Sequence, residues 1–137
     1  MRLDDLLGAS GITTCAPASP AAIAEAERDL GVRLPHGYRD LLLRFNGLEG
    51  FVGPESCYLV LHPIEFVGSH QYEPNIVPGL IVVGSDGGGE AFGFLQEESG
   101  GSLFARVPFI GDGLASMDRL ATTFEGFIER IRLGDFG

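Results

Sequence analysis

The chain has 137 residues, of which 45% are hydrophobic and 20% are charged. These proportions are typical of one soluble globular domain and exclude a disordered or fibrous chain. No segment approaches the roughly 18 consecutive apolar residues that a membrane span needs. Asp4 and Asp5 stand where a signal peptide would be basic, so we expect a cytoplasmic location.

The charge balance is strongly acidic, with 19 Asp and Glu against nine bases and a net charge of −10. All nine bases are arginine. Such a chain repels phosphate backbones, because nucleic-acid binding needs a basic stripe, so we expect no nucleic-acid partner. The acidity either keeps the protein soluble or provides a face for a basic partner, and composition leaves both explanations open.

Two helices are predicted in the first third of the chain. Ser19 and Pro20 form a helix start, since a serine caps well and proline suits the first helical position. Gly31 ends this helix, and Glu25, Glu27 and Asp29 are interpreted as its solvated face. A second helix follows 34–35 and ends at 46–47, with an apolar face at helical spacing formed by Tyr38, Leu41, Leu42 and Phe45.

Short apolar or alternating runs then predict strands at 58–61, 80–83, 91–95 and 103–107. The connections between the last three are short, which favours antiparallel pairing. Residues 68–79 hold turn-forming residues without a period and predict an ordered loop. A final helix has Leu120, Phe124, Phe127, Ile128 and Ile131 on one face, with Thr122 or Thr123 as its cap. This order predicts an α+β fold, with helices packed on a curved, mainly antiparallel sheet.

The glycine-rich stretch 84–90, Gly-Ser-Asp-Gly-Gly-Gly-Glu, raises the question of a phosphate or metal loop. In the phosphate-loop template, Glu90 takes the position of the lysine that neutralises phosphate, so the match fails on charge. The dinucleotide and calcium templates fail on spacing. Glycines tolerate positive φ, and Asp86 can accept hydrogen bonds from the amides just after it, so the stretch predicts a hairpin turn.

The other chemistry-bearing residues form no set by spacing. His36, His62 and His70 have no partner at helical ligand spacing, and Cys15 and Cys57 lack the CxxC pattern of a zinc or redox site. We therefore expect no catalytic residues, no metal and no cofactor.

Two blocks of the sequence resemble the SMI1/KNR4 family, also called the SUKH superfamily. The first is Glu27-x-x-Leu30-Gly31-x-x-Leu34-Pro35-x-x-Tyr38 followed by Asn46-Gly47. The second contains residues 83–90, Val107-Pro108-Phe109 and the segment 124–128. The resemblance covers roughly residues 15–133 and implies one domain at 15–137, preceded by an extension at 1–14 in which Leu3, Leu6 and Leu7 suggest a short helix.

The resemblance implies a helix-on-sheet domain without catalytic residues, whose shared residues are structural: Leu34, Pro35, Asn46, Gly47, Gly84, Gly87, Gly88 and Gly89. Many bacterial members look like immunity proteins that bind and neutralise a cognate toxin, frequently a nuclease. Eukaryotic relatives serve as interaction modules.

The function expected from the resemblance and the charge together is protein binding, with a toxin or another basic protein as the partner. The candidate contacts are acids expected near the sheet edge and turns: Glu55, Asp86, Glu90, Glu97, Glu98 and Asp112. One alternative is a general scaffold or regulatory module. Another is a small-molecule or metal-dependent enzyme that uses Asp86, Glu90 and a histidine in a groove.

Overall fold

The computed structural model describes residues 12–53, 57–69, 77–97, 100–110 and 115–135. Within these ranges there are four helices: α1 (Pro20–Leu30), α2 (His36–Arg44), α3 (Ile64–Ser69) and α4 (Phe124–Leu133). The seven strands are β1 (Thr13–Thr14), β2 (Leu48–Val52), β3 (Cys57–Leu61), β4 (Ile81–Ser85), β5 (Glu90–Gln96), β6 (Ser102–Pro108) and β7 (Asp118–Ala121). None of the helices in these ranges is long and apolar enough to cross a membrane.

Side-chain caps set the starts of the two helices for which caps were predicted. The Ser19 hydroxyl accepts a hydrogen bond from the Ala22 amide at 3.1 Å, and α1 ends at Gly31. At α4, the Thr123 hydroxyl accepts from the Gly126 amide at 3.0 Å. The predicted ends of α1 are confirmed, and Thr123 rather than Thr122 is the cap of the last helix.

The seven strands form one open sheet in which each strand pairs antiparallel with its neighbours in sequence. This meander, with helices packed against it, confirms the predicted α+β class. The predicted strands correspond to β3–β6, whereas β1, β2, β7 and the short α3 were not predicted. The start of the predicted loop at 68–79 belongs to α3, and 70–76 lie outside the described residues, as do 1–11 with the proposed extension helix.

The two faces of the sheet carry separate apolar clusters. The main cluster lies between the sheet and the helices, and its largest rings include Tyr38, Phe92 and Phe104. The smaller cluster contains Val82, Ala91 and Val107 with five further residues of β5 and the adjoining connections. Alternation along β5 explains the division, because consecutive side chains of a strand point to opposite faces. Only the β4–β6 part of the outer face therefore has such a cluster among the described residues.

Long-range hydrogen bonds hold the connections between helices. The Leu34 amide donates to Glu27 Oε2 at 2.9 Å, which ties α1 to the segment that leads into α2. Glu27 is half-buried, so its interpretation as part of a solvated face was wrong. At the other end of α2, the Ile64 amide donates to Asn46 Oδ1 at 2.7 Å, so Asn46 caps the start of α3.

Removing the acceptor at Glu27 will destabilise the fold. We expect Glu27→Ala to lower the free energy of unfolding by about 1–2 kcal/mol, because the Leu34 amide loses its partner. Glu27→Gln keeps a side-chain oxygen and is expected to lose less. Glu25→Ala, on the exposed side of α1, is the matched control and should change stability by less than about 0.5 kcal/mol. Urea unfolding checks all three, and equal losses for Glu27→Ala and Glu25→Ala would contradict the assignment.

Candidate functional site

The turn between β4 and β5 is closed by its own side chains. Asp86 Oδ1 accepts from the Gly88 amide at 2.8 Å and from the Glu90 amide at 3.2 Å, and the Ser85 hydroxyl accepts from the Gly87 amide at 3.1 Å. The Asp86 amide in turn donates to the Glu90 carbonyl at 3.1 Å. The amides of residues 86–88 and 90 therefore have acceptors within the turn, and the arrangement is that of the predicted hairpin turn.

The glycines of this stretch have different physical roles. Gly87 has φ +81°, in the left-handed region, and a Cβ built there would lie 2.6 Å from Tyr58 Cδ2. Gly84 has no unusual φ, but a Cβ there would collide with the Val60 carbonyl across the strand pair. A Cβ built on Gly88 would lie 3.5 Å from Asp86 Oδ1, which is an ordinary contact, and a Cβ built on Gly89 would have no neighbour within 4 Å. The prediction that consecutive glycines supply positive φ therefore applies to Gly87 and not to Gly88 or Gly89.

Alanine at Gly84 will destabilise the protein far more than alanine at Gly89. We expect Gly84→Ala to cost at least about 2 kcal/mol, because its contact is with strand backbone that cannot move aside without losing pairing. Gly89→Ala should stay within about 0.5 kcal/mol of the parent protein, since the space around it is open. Thermal and urea unfolding measure both changes. Similar losses at the two positions would contradict this account of the stretch.

The predicted partner-binding acids do not all lie together. In an antiparallel meander the connections alternate between the two ends of the sheet, so Asp86 and Glu90 lie at one end and Glu97 at the other. The length of β5 places these ends about 20 Å apart. Glu97 is exposed, whereas Asp86 and Glu90 are half-buried. The remaining candidates, Glu55, Glu98 and Asp112, fall outside the described residues.

A cleft of about 970 Å³ lies at the Glu97 end of the sheet. Its walls include Leu34 and Pro35 from the α1–α2 connection, Gln96 at the end of β5 and Thr123 at the start of α4. The Arg33 amide donates to Gln96 Oε1 at 3.2 Å, which joins two of these walls. The family-type motif at 34–35 therefore shapes a concave surface as well as bounding a helix.

The charges that line this cleft are mixed. Arg33 and Arg39 are exposed there, and Glu27 and Glu125 line the same walls. His36 also lies in the cleft and contacts Asp40 on its own helix at 3.3 Å. This arrangement can bind polar groups of either sign, and it has no single preferred ligand charge.

The residues of the enzyme alternative are not brought together in this cleft. Asp86 and Glu90 are absent from its lining, and His36 is the histidine found there among the described residues. Within the described parts of the chain, no group of three or more His, Cys, Asp or Glu side chains is placed to hold a metal ion.

Sequence reasoning missed an exposed group on the outer face of β2 and β3. Phe51 is 56% exposed, and its ring packs edge-on against that of Tyr58 with centroids 4.9 Å apart. The Tyr58 hydroxyl donates to the Glu49 carboxylate, which raises the pKa of Tyr58 above its ordinary value. The signal for this group is the alternation in Leu48–Val52, where every second residue is buried and Phe51 takes an outward position.

His62 lies just beyond the end of β3, and its ring packs against that of Phe66 with centroids 4.5 Å apart. Its Nε2 atom is buried and has no hydrogen-bond partner in the described structure. Burial lowers the pKa of His62 below its ordinary value, and the negative charge of Glu49 partly opposes this shift. The neutral form of the imidazole is therefore the form that the fold favours.

The depressed pKa of His62 predicts a pH dependence of stability. In the unfolded chain a histidine takes up a proton near pH 6.5, whereas folded His62 does so only at lower pH. Its contribution is therefore present above about pH 6.5 and is lost as the pH falls through the folded pKa. We expect the stability of the parent protein to fall relative to His62→Gln between about pH 7 and 5, as measured by urea unfolding. Parallel profiles for the two proteins would rule this out.

The fold and the motifs together define an α+β domain in which helices cover one face of an open meander. The family model described as "SMI1 / KNR4 family (SUKH-1)" matches residues 17–130. The chain therefore belongs to the SMI1/KNR4 family, a family of immunity-protein-like domains. This match confirms the resemblance seen in the two sequence blocks.

A segment of the chain is similar to a bacterial protein. "Uncharacterized protein YnaB" of Bacillus subtilis (strain 168) is 49% identical over 39 residues. The matched segment is 28% of this chain and 27% of that protein. The likeness therefore covers little more than a quarter of either sequence, and it supports relatedness of that segment.

Proposed function

We propose that the protein is a non-enzymatic binding domain of the immunity type, which binds a cognate protein toxin and neutralises it. The observation that carries the proposal is the combination of an SMI1/KNR4 (SUKH-1) domain over residues 17–130 with a net charge of −10 and no lysine. The toxin would present a basic surface, as a nuclease does around the cleft that holds its substrate phosphates.

The distribution of ion pairs supports an acidic binding surface. Several of the arginines are engaged within the fold: Arg106 with Asp118 at 2.7 Å, Arg132 with Glu129 at 2.7 Å and Arg130 with Asp135 at 3.5 Å. In contrast, Glu25 and Glu97 are exposed and have no ion pair among the described residues. Each of these pairs uses one carboxylate as well as one arginine, so the excess of acids over bases is left for the surface, where Arg33 and Arg39 are also exposed.

Electrostatics would contribute mainly to the rate and the specificity of association. Carboxylates that take the positions of the substrate phosphates in the toxin's cleft attract a basic toxin toward its inhibitor. They also disfavour association with neutral or acidic proteins. The cytoplasm is the compartment in which such an inhibitor would protect its own cell. A scaffold role without a toxin remains the second proposal, and a toxin encoded next to this gene distinguishes the two.

The toxin complex is expected to be strongly salt-sensitive. A basic toxin encoded beside the gene should lose its toxicity when the two proteins are co-expressed. The association rate constant should fall about tenfold or more between roughly 50 mM and 500 mM salt, because surface charge is screened. Growth assays measure neutralisation, and stopped-flow fluorescence measures the rate.

Charge reversal then identifies the end of the sheet that meets the toxin. Glu90→Arg and Glu97→Arg change the net charge equally at opposite ends, so unequal effects on the rate assign the contact. Asp86 is unsuitable for this purpose, because its carboxylate also holds the turn. A rate indifferent to salt and to both reversals would refute the electrostatic mechanism, and full toxicity on co-expression would refute the proposed function.

A further inference from the structure

The outer face of the sheet is unequally covered. Over β4–β6 it is apolar and buried, with Leu80 and Met117 among the residues that pack against Val82 and Val107. Over β2 and β3 the same face carries Phe51, which is 56% exposed. An exposed aromatic ring beside a charged side chain on an open sheet face is typical of surfaces that bind other proteins.

Five side chains form what we call the aromatic strip: Glu49, Phe51, Tyr58, His62 and Phe66. Phe51 and Tyr58 are directly opposite each other in the β2–β3 register, which accounts for their ring contact. His62 and Phe66 make a second ring pair, with centroids 4.5 Å apart. Tyr58 donates to the Glu49 carboxylate, and alternation along the chain from Tyr58 directs His62 to the same face, which relates the two pairs.

The strip is held in place before any partner arrives. Tyr58 is fixed by its bond to Glu49 and by the backbone of Gly87, which lies against one edge of its ring. Tyr58 donates to Oε2 of Glu49, and no other bond to this carboxylate is found among the described residues. A second carboxylate oxygen is therefore able to accept hydrogen bonds beside an exposed ring. Prior ordering of such groups reduces the entropy that binding would otherwise cost.

We propose that the aromatic strip receives an arginine side chain of a basic protein partner. The guanidinium group would lie against the Phe51 and Tyr58 rings and donate hydrogen bonds to Glu49. Arginine fits better than lysine because its planar group stacks on aromatic faces while its N–H groups bond a carboxylate. The net charge of −10 favours the approach of such a partner.

This inference rests on the proposed function for the identity of the partner, which would be the basic toxin. It adds the position of the contact. None of the five side chains of the strip was among the acids expected to bind a partner.

A defined peptide tests the strip directly. The probe is a short acetylated and amidated peptide of Gly, Ser and Arg, titrated into the full chain and followed by NMR. A citrulline version keeps the shape without the charge, and a lysine version keeps the charge without the planar group. We expect the arginine peptide to shift the Phe51 and Tyr58 ring signals, the lysine peptide to bind more weakly and the citrulline peptide not to bind.

Two variants with the same net charge distinguish binding at the strip from non-specific electrostatic attraction to the whole protein. Glu49→Gln and Glu97→Gln remove one carboxylate each, so both give the same net charge. We expect Glu49→Gln to lower the affinity for the arginine peptide at least about threefold, and Phe51→Ala to lower it about twofold to fivefold. Glu97→Gln should change affinity by less than about 1.5-fold, because it lies at the other end of the sheet. Equal losses for the two glutamine variants, or ring signals that do not move, would overturn the inference.

The toxin experiment keeps the two proposals distinguishable. If a neighbouring toxin is neutralised by the parent protein and equally well by Phe51→Ala and Glu49→Gln, the function stands and the strip is excluded as the contact. If the arginine peptide binds the strip but no toxin is neutralised, the strip stands and the immunity function fails. Phe51 is exposed, so its replacement by alanine leaves the buried core intact.

Discussion

The packing of aromatic rings between the sheet and two helices is the constraint on which the rest of the structure depends. Phe104 of β6 stacks on Phe127 of α4 at 5.0 Å, and Phe124 lies 5.6 Å from Tyr38 of α2. These contacts place α4 across the inner face with its start beside the cleft. Burial of such rings is among the largest favourable terms in a domain of this size, so the position of α4 is strongly determined. The Tyr38 hydroxyl has no partner in the described structure, and burial raises the pKa of Tyr38, so its ring rather than its hydroxyl accounts for its place in the motif.

The inner face of the sheet is covered by helices that stabilise the fold, so a partner has to bind elsewhere on the domain. The meander leaves two ends and an outer face, and these differ in character. One end has the mixed-charge cleft, the other has the turn closed by Asp86, and the outer face has an exposed ring beside a carboxylate. A basic partner would bind most tightly at the outer face, because contacts with the aromatic rings there add to the electrostatic attraction.

The parts of the fold that could be predicted from sequence are those determined by local chemistry. Ser19, Gly31 and Thr123 cap helices through bonds within a few residues, and short patterns contain that information. The start of α3 depends on Asn46, 18 residues earlier in the chain, so no local pattern marks it. Strand β2 was missed because Gly50 interrupts a five-residue run and weakens its strand pattern.

The candidate site was harder to predict for a related reason. Acidic residues in turns are visible in the sequence, but the end of the sheet on which each lies follows only from the number and order of the strands. Asp86 and Glu97 flank the predicted strand β5, so their separation could be predicted from the sequence, whereas the surroundings of Glu49 depend on β2, which was not predicted. Phe51 was overlooked for the same reason, since its outward direction follows from the alternation along an unpredicted strand.

The separation of structural and exposed residues has a consequence for specificity. The motif residues act inward or within connections: Leu34 is buried, Asn46 caps a helix, and Gly84 lies against a neighbouring strand. The aromatic strip is on the opposite face, where replacing Phe51 leaves the buried rings untouched. Substitutions at exposed positions usually change stability by less than about 0.5 kcal/mol, whereas an exposed aromatic anchor can decide whether a partner binds. A domain built in this way can change its partner without changing its fold, because the side chains that would meet the partner are not the ones that hold the sheet to its helices.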